Sequence, residues 1–127
     1  MSWGRIKLRP ADTLFSRYLR LKIGHCEVCH RKGEGEEGIK GLVVSHFHGR
    51  RNENTRHSEE NCDITCVNCH RLFHESPAKY VAFKIKKLGL DKYKLLELSA
   101  NTYCKRDDKK TILYLKKLMK KQQLKIR

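Results

Sequence analysis

NCDITCVNCHRLFHE, residues 61–75, decides how the rest of the chain is read. Cys62, Asp63, Ile64 and Thr65 read as a short strand, and the residues from about Val67 to Glu75 read as a helix that Pro77 helps to close. Cys66 and Cys69 form a C-x-x-C pair at the junction between the two. On the predicted helix His70 and His74 stand four residues apart, so their imidazoles share one face and can hold one cation. Strand, cysteine turn and helix therefore follow one another within fifteen residues.

Working upstream, Leu42, Val43, Val44, Ser45, His46 and Phe47 are β-branched or aromatic for the most part and predict a strand. Cys26 and Cys29 make a second C-x-x-C pair, separated from the other by 36 residues. A C-x-x-C turn lets two thiolates converge on one ion, and two turns complete a tetrahedral site. Cys26, Cys29, Cys66 and Cys69 are thus the expected ligands of a structural zinc ion. A redox pair is the competing reading, but that type occurs singly beside a βαβ unit, which this chain lacks. Cys62 is expected to be a small buried strand residue and Cys104 a structural one.

Between the two strands, residues 48–60 are polar and read as a long loop carrying Arg50, Arg51 and Arg56. Guanidinium forks suit phosphate oxygens, so these three are candidate nucleic-acid contacts. Farther out, Pro10 opens a helix with apolar positions Leu14, Phe15, Tyr18 and Leu19, and Gly24 ends it. Three more helices follow: residues 78–88, then a shorter one capped by Asp91, then one capped by Asp107 or Asp108 with Ile112, Leu115, Leu118 and Met119 as its stripe. The fold class is α+β, mainly α: a small core stapled by four cysteines and flanked by N- and C-terminal helices. One domain is expected, with a basic helical arm over 1–24, the zinc-bearing core over 25–76 and a basic helical region over 77–127.

The chain has 127 residues and a formal charge of +15. Residues 1–32 carry a net +6, residues 33–75 a net −3 and residues 76–127 a net +12. The basic flanks would be drawn to a polyanion, and nucleic acid is the expected partner. No apolar run approaches the roughly 18 residues of a membrane span, and no signal peptide is evident, so an intracellular, cytoplasmic protein without membrane association is expected. The apolar stripes of the last helices are a candidate surface for a homodimer.

His46 at the end of one strand, Asn61 before the other and His70 on the helix all lie within the zinc frame. An imidazole titrates near neutrality, so His46 is the candidate general base. The Asn61 amide is expected to fix the loop and orient it. His48, two residues after His46, is a further candidate ligand if the strand continues, and His25, His30 and His57 are expected at the surface. In Ser45-His46, Asn61 and Cys69-His70, together with the two cysteine pairs, the chain resembles the HNH nucleases with their ββα-metal core. In ADTLFSRYLRL from Ala11, SHFHGRR from Ser45 and NCDITCVNCHR from Asn61 it is similar, more narrowly, to phage recombination nucleases of the NinG (Rap) type. The resemblance implies a metal-dependent DNA endonuclease acting on recombination or branched DNA, with catalytic His46, Asn61 and His70 and a divalent ion, Mg²⁺ or Mn²⁺, at His70 and His74; it is also compatible with a phage or prophage-like origin. One departure stands out: the family has a metal-binding Asp or His where this chain has Ser45. The alternative function is a non-catalytic zinc-containing protein that binds DNA or RNA.

Overall fold

The computed structural model describes residues 7–124. In chain order they form α1 (Pro10–Ile23), β1 (Leu42–His46), α2 (Glu53–Arg56), a 3₁₀ turn (Glu59–Asn61), β2 (Cys62–Cys66), α3 (Val67–Glu75), α4 (Pro77–Leu88), α5 (Leu90–Ala100) and α6 (Asp108–Lys121). The result is a small, mainly helical α+β structure around a two-stranded antiparallel sheet. No helix among the described residues is long and apolar enough to cross a membrane.

The strands pair in register from Leu42 opposite Cys66 to His46 opposite Cys62. Successive side chains alternate between the faces of a strand, which gives this sheet two unlike sides. Leu42, Cys62, Ile64 and Cys66 join Phe15, Tyr18 and Leu19 of α1 and Leu115 and Met119 of α6 in one apolar core. The opposite face carries Ser45, Asp63 and Thr65, all buried and all polar. Burial of such groups demands partners: the Ser45 and Thr65 hydroxyls bond each other, and α4 supplies those of Asp63. Tyr80 donates its hydroxyl to Asp63 Oδ2 at 2.7 Å, Lys84 Nζ lies 3.2 Å from the same oxygen, and Lys87 Nζ reaches Oδ1 at 2.7 Å. Lys84 also donates to the Glu60 carbonyl and is fully buried.

Helix ends follow local chemistry. Gly24, at φ 73°, closes α1 in the left-handed conformation that an L side chain resists. Asp107 caps α6 by accepting from the Lys110 N–H at 3.1 Å. The helix expected to be capped by Asp91 begins instead at Leu90 behind Gly89, with Asp91 inside its first turn, because the preceding glycine lets the chain turn directly out of α4. The polar segment 48–60 is not a plain loop: it contains α2 and the 3₁₀ turn, pinned by the Asp12 carboxylate of α1.

Candidate metal centre and histidine groove

After α1 the chain makes a tight knuckle in which Cys26 N–H donates to Arg31 O at 2.8 Å and His30 N–H to Cys26 O at 2.9 Å. Glu27 fixes the knuckle along the free edge of β2: its N–H donates to Ile64 O and its carboxylate accepts from Ile64 N–H, both at 2.8 Å. Cys66 is the N-cap of α3 and Cys69 lies in that helix's first turn. The four ligand sulfurs of Cys26, Cys29, Cys66 and Cys69 lie within 4.8 Å of one another, and those of Cys29 and Cys66 are 3.7 Å apart. Sulfurs at the corners of a tetrahedron with Zn–S bonds of about 2.3 Å would be separated by roughly 3.8 Å, so the donor set fits zinc.

The electrostatics agree with that fit. Burial acts to raise the Cys26 thiol, but hydrogen bonds from the backbone of Cys29, Cys66 and Val28 outweigh it and bring the group down to about 7. Burial and the neighbouring thiols Cys66, Cys26 and Cys29 push Cys69 up instead. Four thiolates crowd one another unless a cation sits among them. The positive end of α3 adds to the field at Cys66 and Cys69. Among the described residues no other three Cys, His, Asp or Glu side chains converge in this way. Cys62 is buried in the strand, as expected, whereas Cys104 is exposed in the segment before α6, where its Sγ donates to the Lys105 carbonyl at 3.6 Å.

The histidines form the second feature. His46 closes β1, and His70 and His74 stand on α3; all three line two adjoining depressions. One depression runs along α1 past Ser16, Arg20, Gly49 and Arg50, and the other is walled by aromatic rings. Burial and the charge of Arg50 hold the His46 imidazole down at about 4, against the Asp12 carboxylate and a backbone hydrogen bond to Arg56. His46 is therefore neutral at physiological pH. Burial and His74 likewise lower His70.

Ser45 explains the orientation of His70. Its Oγ lies 2.7 Å from His70 Nδ1 and 2.8 Å from Thr65 Oγ1. The serine thus holds one nitrogen of the ring and leaves Nε2 for another partner. Asn61 is fully buried: Oδ1 accepts from His48 N–H at 2.8 Å, and Nδ2 donates to the carbonyls of His48 at 2.9 Å and Thr55 at 3.1 Å. It closes the loop that follows His46. His48 lines the same depression as His70, and its Nε2 lies 2.9 Å from Glu97 of α5.

Two expectations are corrected here. Arg56 is buried, with Nε donating to Asp12 Oδ1 at 2.8 Å and its other nitrogens to Asp12 Oδ2 and the carbonyls of Lys7 and Arg50. Its fork is consumed inside the protein, so it is not a phosphate contact. His57 is not a surface residue either: its Nε2 lies 2.8 Å from Asp12 Oδ1, and its ring packs edge-on to Phe15. Arg50 borders the groove and Arg51 is exposed.

Fold and site together define a small mainly helical α+β chain with a compact four-cysteine centre able to bind a metal ion. No protein-family model matches it, and no curated protein or solved structure matches it.

Proposed function

We propose that the protein is a metal-dependent DNA endonuclease of the HNH type, stapled by a structural zinc ion. The observation that carries this reading is the shared placement of a neutral imidazole at His46 and the His70–His74 pair along one groove bordered by Arg20 and Arg50. In the hydrolytic step His46 accepts a proton from a water molecule as the water oxygen attacks phosphorus and the P–O bond to the leaving oxygen breaks. His70, oriented through Ser45, and His74 would hold a divalent ion, Mg²⁺ or Mn²⁺, which when bound neutralises charge on the phosphate and the leaving oxygen. Burial and the neighbouring Arg50 keep His46 unprotonated, and Arg50 offers a cation to the phosphate. Asn61 acts as a positioning residue through the loop it clamps. The net +12 of residues 76–127 supports long-range attraction to DNA. Recombination or branched intermediates are the proposed substrates on the strength of the NinG-type resemblance.

The test uses linear, nicked and four-way DNA, with Mn²⁺ or Mg²⁺ and with the ion omitted. Cleavage that needs the added ion and disappears in His46→Ala, at unchanged zinc content and DNA affinity, is the expected result. Cleavage unaffected by His46→Ala overturns the reading. A second reading, non-catalytic binding of DNA or RNA, draws on Ser45 standing where the family has a metal-binding acid or histidine. It requires that no second metal ion binds at His70.

A further inference from the structure

The hydrolysis proposed above uses only one side of the histidine wall. On the other side lies a cavity of about 550 Å³, in the size range of small-ligand sites. Its walls are Phe47 of the loop after β1, Phe73 of α3, Tyr80 of α4 and Tyr93 of α5, with His48 and Glu97 supplying polar groups. Two of the rings form a packed floor and the other two stand at its open side. Phe73 and Tyr80 stack face to face at 4.1 Å and 4°, and Phe47 stands edge-on to Tyr80 at 5.0 Å and to Tyr93 at 5.8 Å. Phe73 and Tyr80 are buried and fixed, Tyr80 by its bond to Asp63, while Phe47 and Tyr93 are only half-buried. Glu97, one turn after Tyr93, is held by His48 Nε2 at 2.9 Å. A carboxylate has about four acceptor positions, so this bond and the one from the Tyr93 hydroxyl still leave capacity for an additional donor.

We propose that this aromatic cavity receives one unpaired nucleobase of the DNA strand whose phosphate lies against His46 and His70. The inference rests on the hydrolytic reading for the position of that phosphate. The two depressions share His46, His70 and His74 and differ in chemistry as the two parts of a nucleotide differ: arginines border one, aromatic rings the other. A base stacked and paired inside a duplex cannot enter a side cavity, whereas a base at a junction, gap or single-stranded end can. Ring stacking accepts any base, and the Glu97 carboxylate favours those that carry an amino group, adenine, cytosine or guanine over thymine. The substrate class that follows is DNA with at least one unpaired nucleotide beside the scissile bond.

The experiment measures binding of the His46→Ala protein to a duplex containing 2-aminopurine, either paired or as a single unpaired nucleotide, by fluorescence of that base. Tighter binding of the unpaired form by roughly tenfold is expected, with the preference abolished by Tyr93→Ala and kept by Tyr93→Phe. Glu97→Gln, a milder change, is expected to retain the unpaired preference and to lose discrimination of adenine from thymine at that position. Equal affinity for paired and unpaired duplexes, or a preference that survives Tyr93→Ala in protein with unchanged thermal stability, overturns the proposal. Cleavage by the parent protein reads the other question separately. Cleavage without any unpaired preference removes the cavity proposal alone, and an unpaired preference without cleavage on any substrate removes the hydrolytic reading alone.

Discussion

Ser45 Oγ sits 2.7 Å from Nδ1 of His70, tying the last turn of the β1 strand's pairing to the first turns of α3. A serine is a poor metal ligand, but a hydroxyl that fixes one imidazole nitrogen sets the direction and tautomer of the other. Ser45→Ala is expected to weaken binding of the divalent ion that cleavage needs, raising the Mn²⁺ concentration for half-maximal rate by about 10- to 100-fold. Zinc content should stay at its parental value. An unchanged Mn²⁺ dependence would show that the Ser45 hydrogen bond has no part in metal binding.

The zinc site is expected to govern folding as well as local order. Cys26, Cys66 and Cys69 belong to the same apolar core as Phe15 and Leu115, so loss of the ion leaves four crowded thiols, three of them inside that core. Structural zinc contributes on the order of 10 kcal/mol in small domains, comparable to an entire folding free energy. Cys66→Ser, or removal of zinc by a strong chelator, should therefore abolish the cooperative thermal transition followed by circular dichroism. A chelated protein that melts at the parental temperature would contradict this.

Asp63 and Lys84 are both fully buried and 3.2 Å apart. Lys84→Met removes one cation but leaves Asp63 paired with Lys87 and Tyr80, and a methionine fills most of the vacated space. Asp63→Ala instead leaves Lys84 charged and unpaired in the interior. The first change is expected to cost about 1–2 kcal/mol and the second about 3–5 kcal/mol. Urea unfolding at neutral pH would measure both, and the reverse order would show that Lys84 matters more through its bond to the Glu60 carbonyl than through Asp63.

Asp12 gives a pH signature. Burial acts to raise its carboxyl, but Arg56, the Arg9 backbone N–H and His57 outweigh burial and hold it well below the usual carboxylate range. A depressed folded-state value contributes stability that is complete above the unfolded value near 4 and is lost as pH falls toward the folded one. Asp12→Asn should cost about 3–5 kcal/mol at pH 7, since it strands the buried Arg56 charge. The gap between parent and variant should narrow as pH falls below about 4. A constant gap between pH 7 and pH 3 would contradict the assignment.

These pairs also mark where sequence reasoning reaches its limit. The cysteine pairs, β1, β2 and α3 were legible because spacing and periodicity are local properties, and Asp107 was legible as a cap for the same reason. Lys84 was not legible as a buried residue: its partner Asp63 lies 21 positions away, and only pairing makes an interior lysine tolerable. Arg56 and His57 looked like loop surface because Asp12, which draws both inward, is 44 and 45 positions distant. The four-residue helix α2 is too short to carry a period. Ser45 read as a missing ligand because its bond to His70 spans strand and helix. The aromatic cavity was hidden more deeply, since Phe47, Phe73, Tyr80 and Tyr93 come from four separate segments.

Arg50 and Arg56 lie six residues apart and should behave oppositely when replaced. Arg56 is inside, with its guanidinium spread over the Asp12 carboxylate and two carbonyls, so Arg56→Ala leaves a buried carboxylate without its main cation. A loss of about 3–5 kcal/mol in folding stability is expected, with DNA affinity of the remaining folded fraction little changed. Arg50 borders the groove beside His46, and Arg50→Ala should leave the melting temperature close to parental. Its effect should fall on DNA binding: weaker affinity across all sequences and a salt dependence shallower by about one unit of slope, the sign of one lost phosphate contact. Because Arg50 also holds the His46 imidazole down from its ordinary value, the same variant should shift the acidic limb of the cleavage profile to higher pH. A variant that loses stability instead, with salt slope and pH profile unmoved, would place Arg50 among the structural arginines with Arg56.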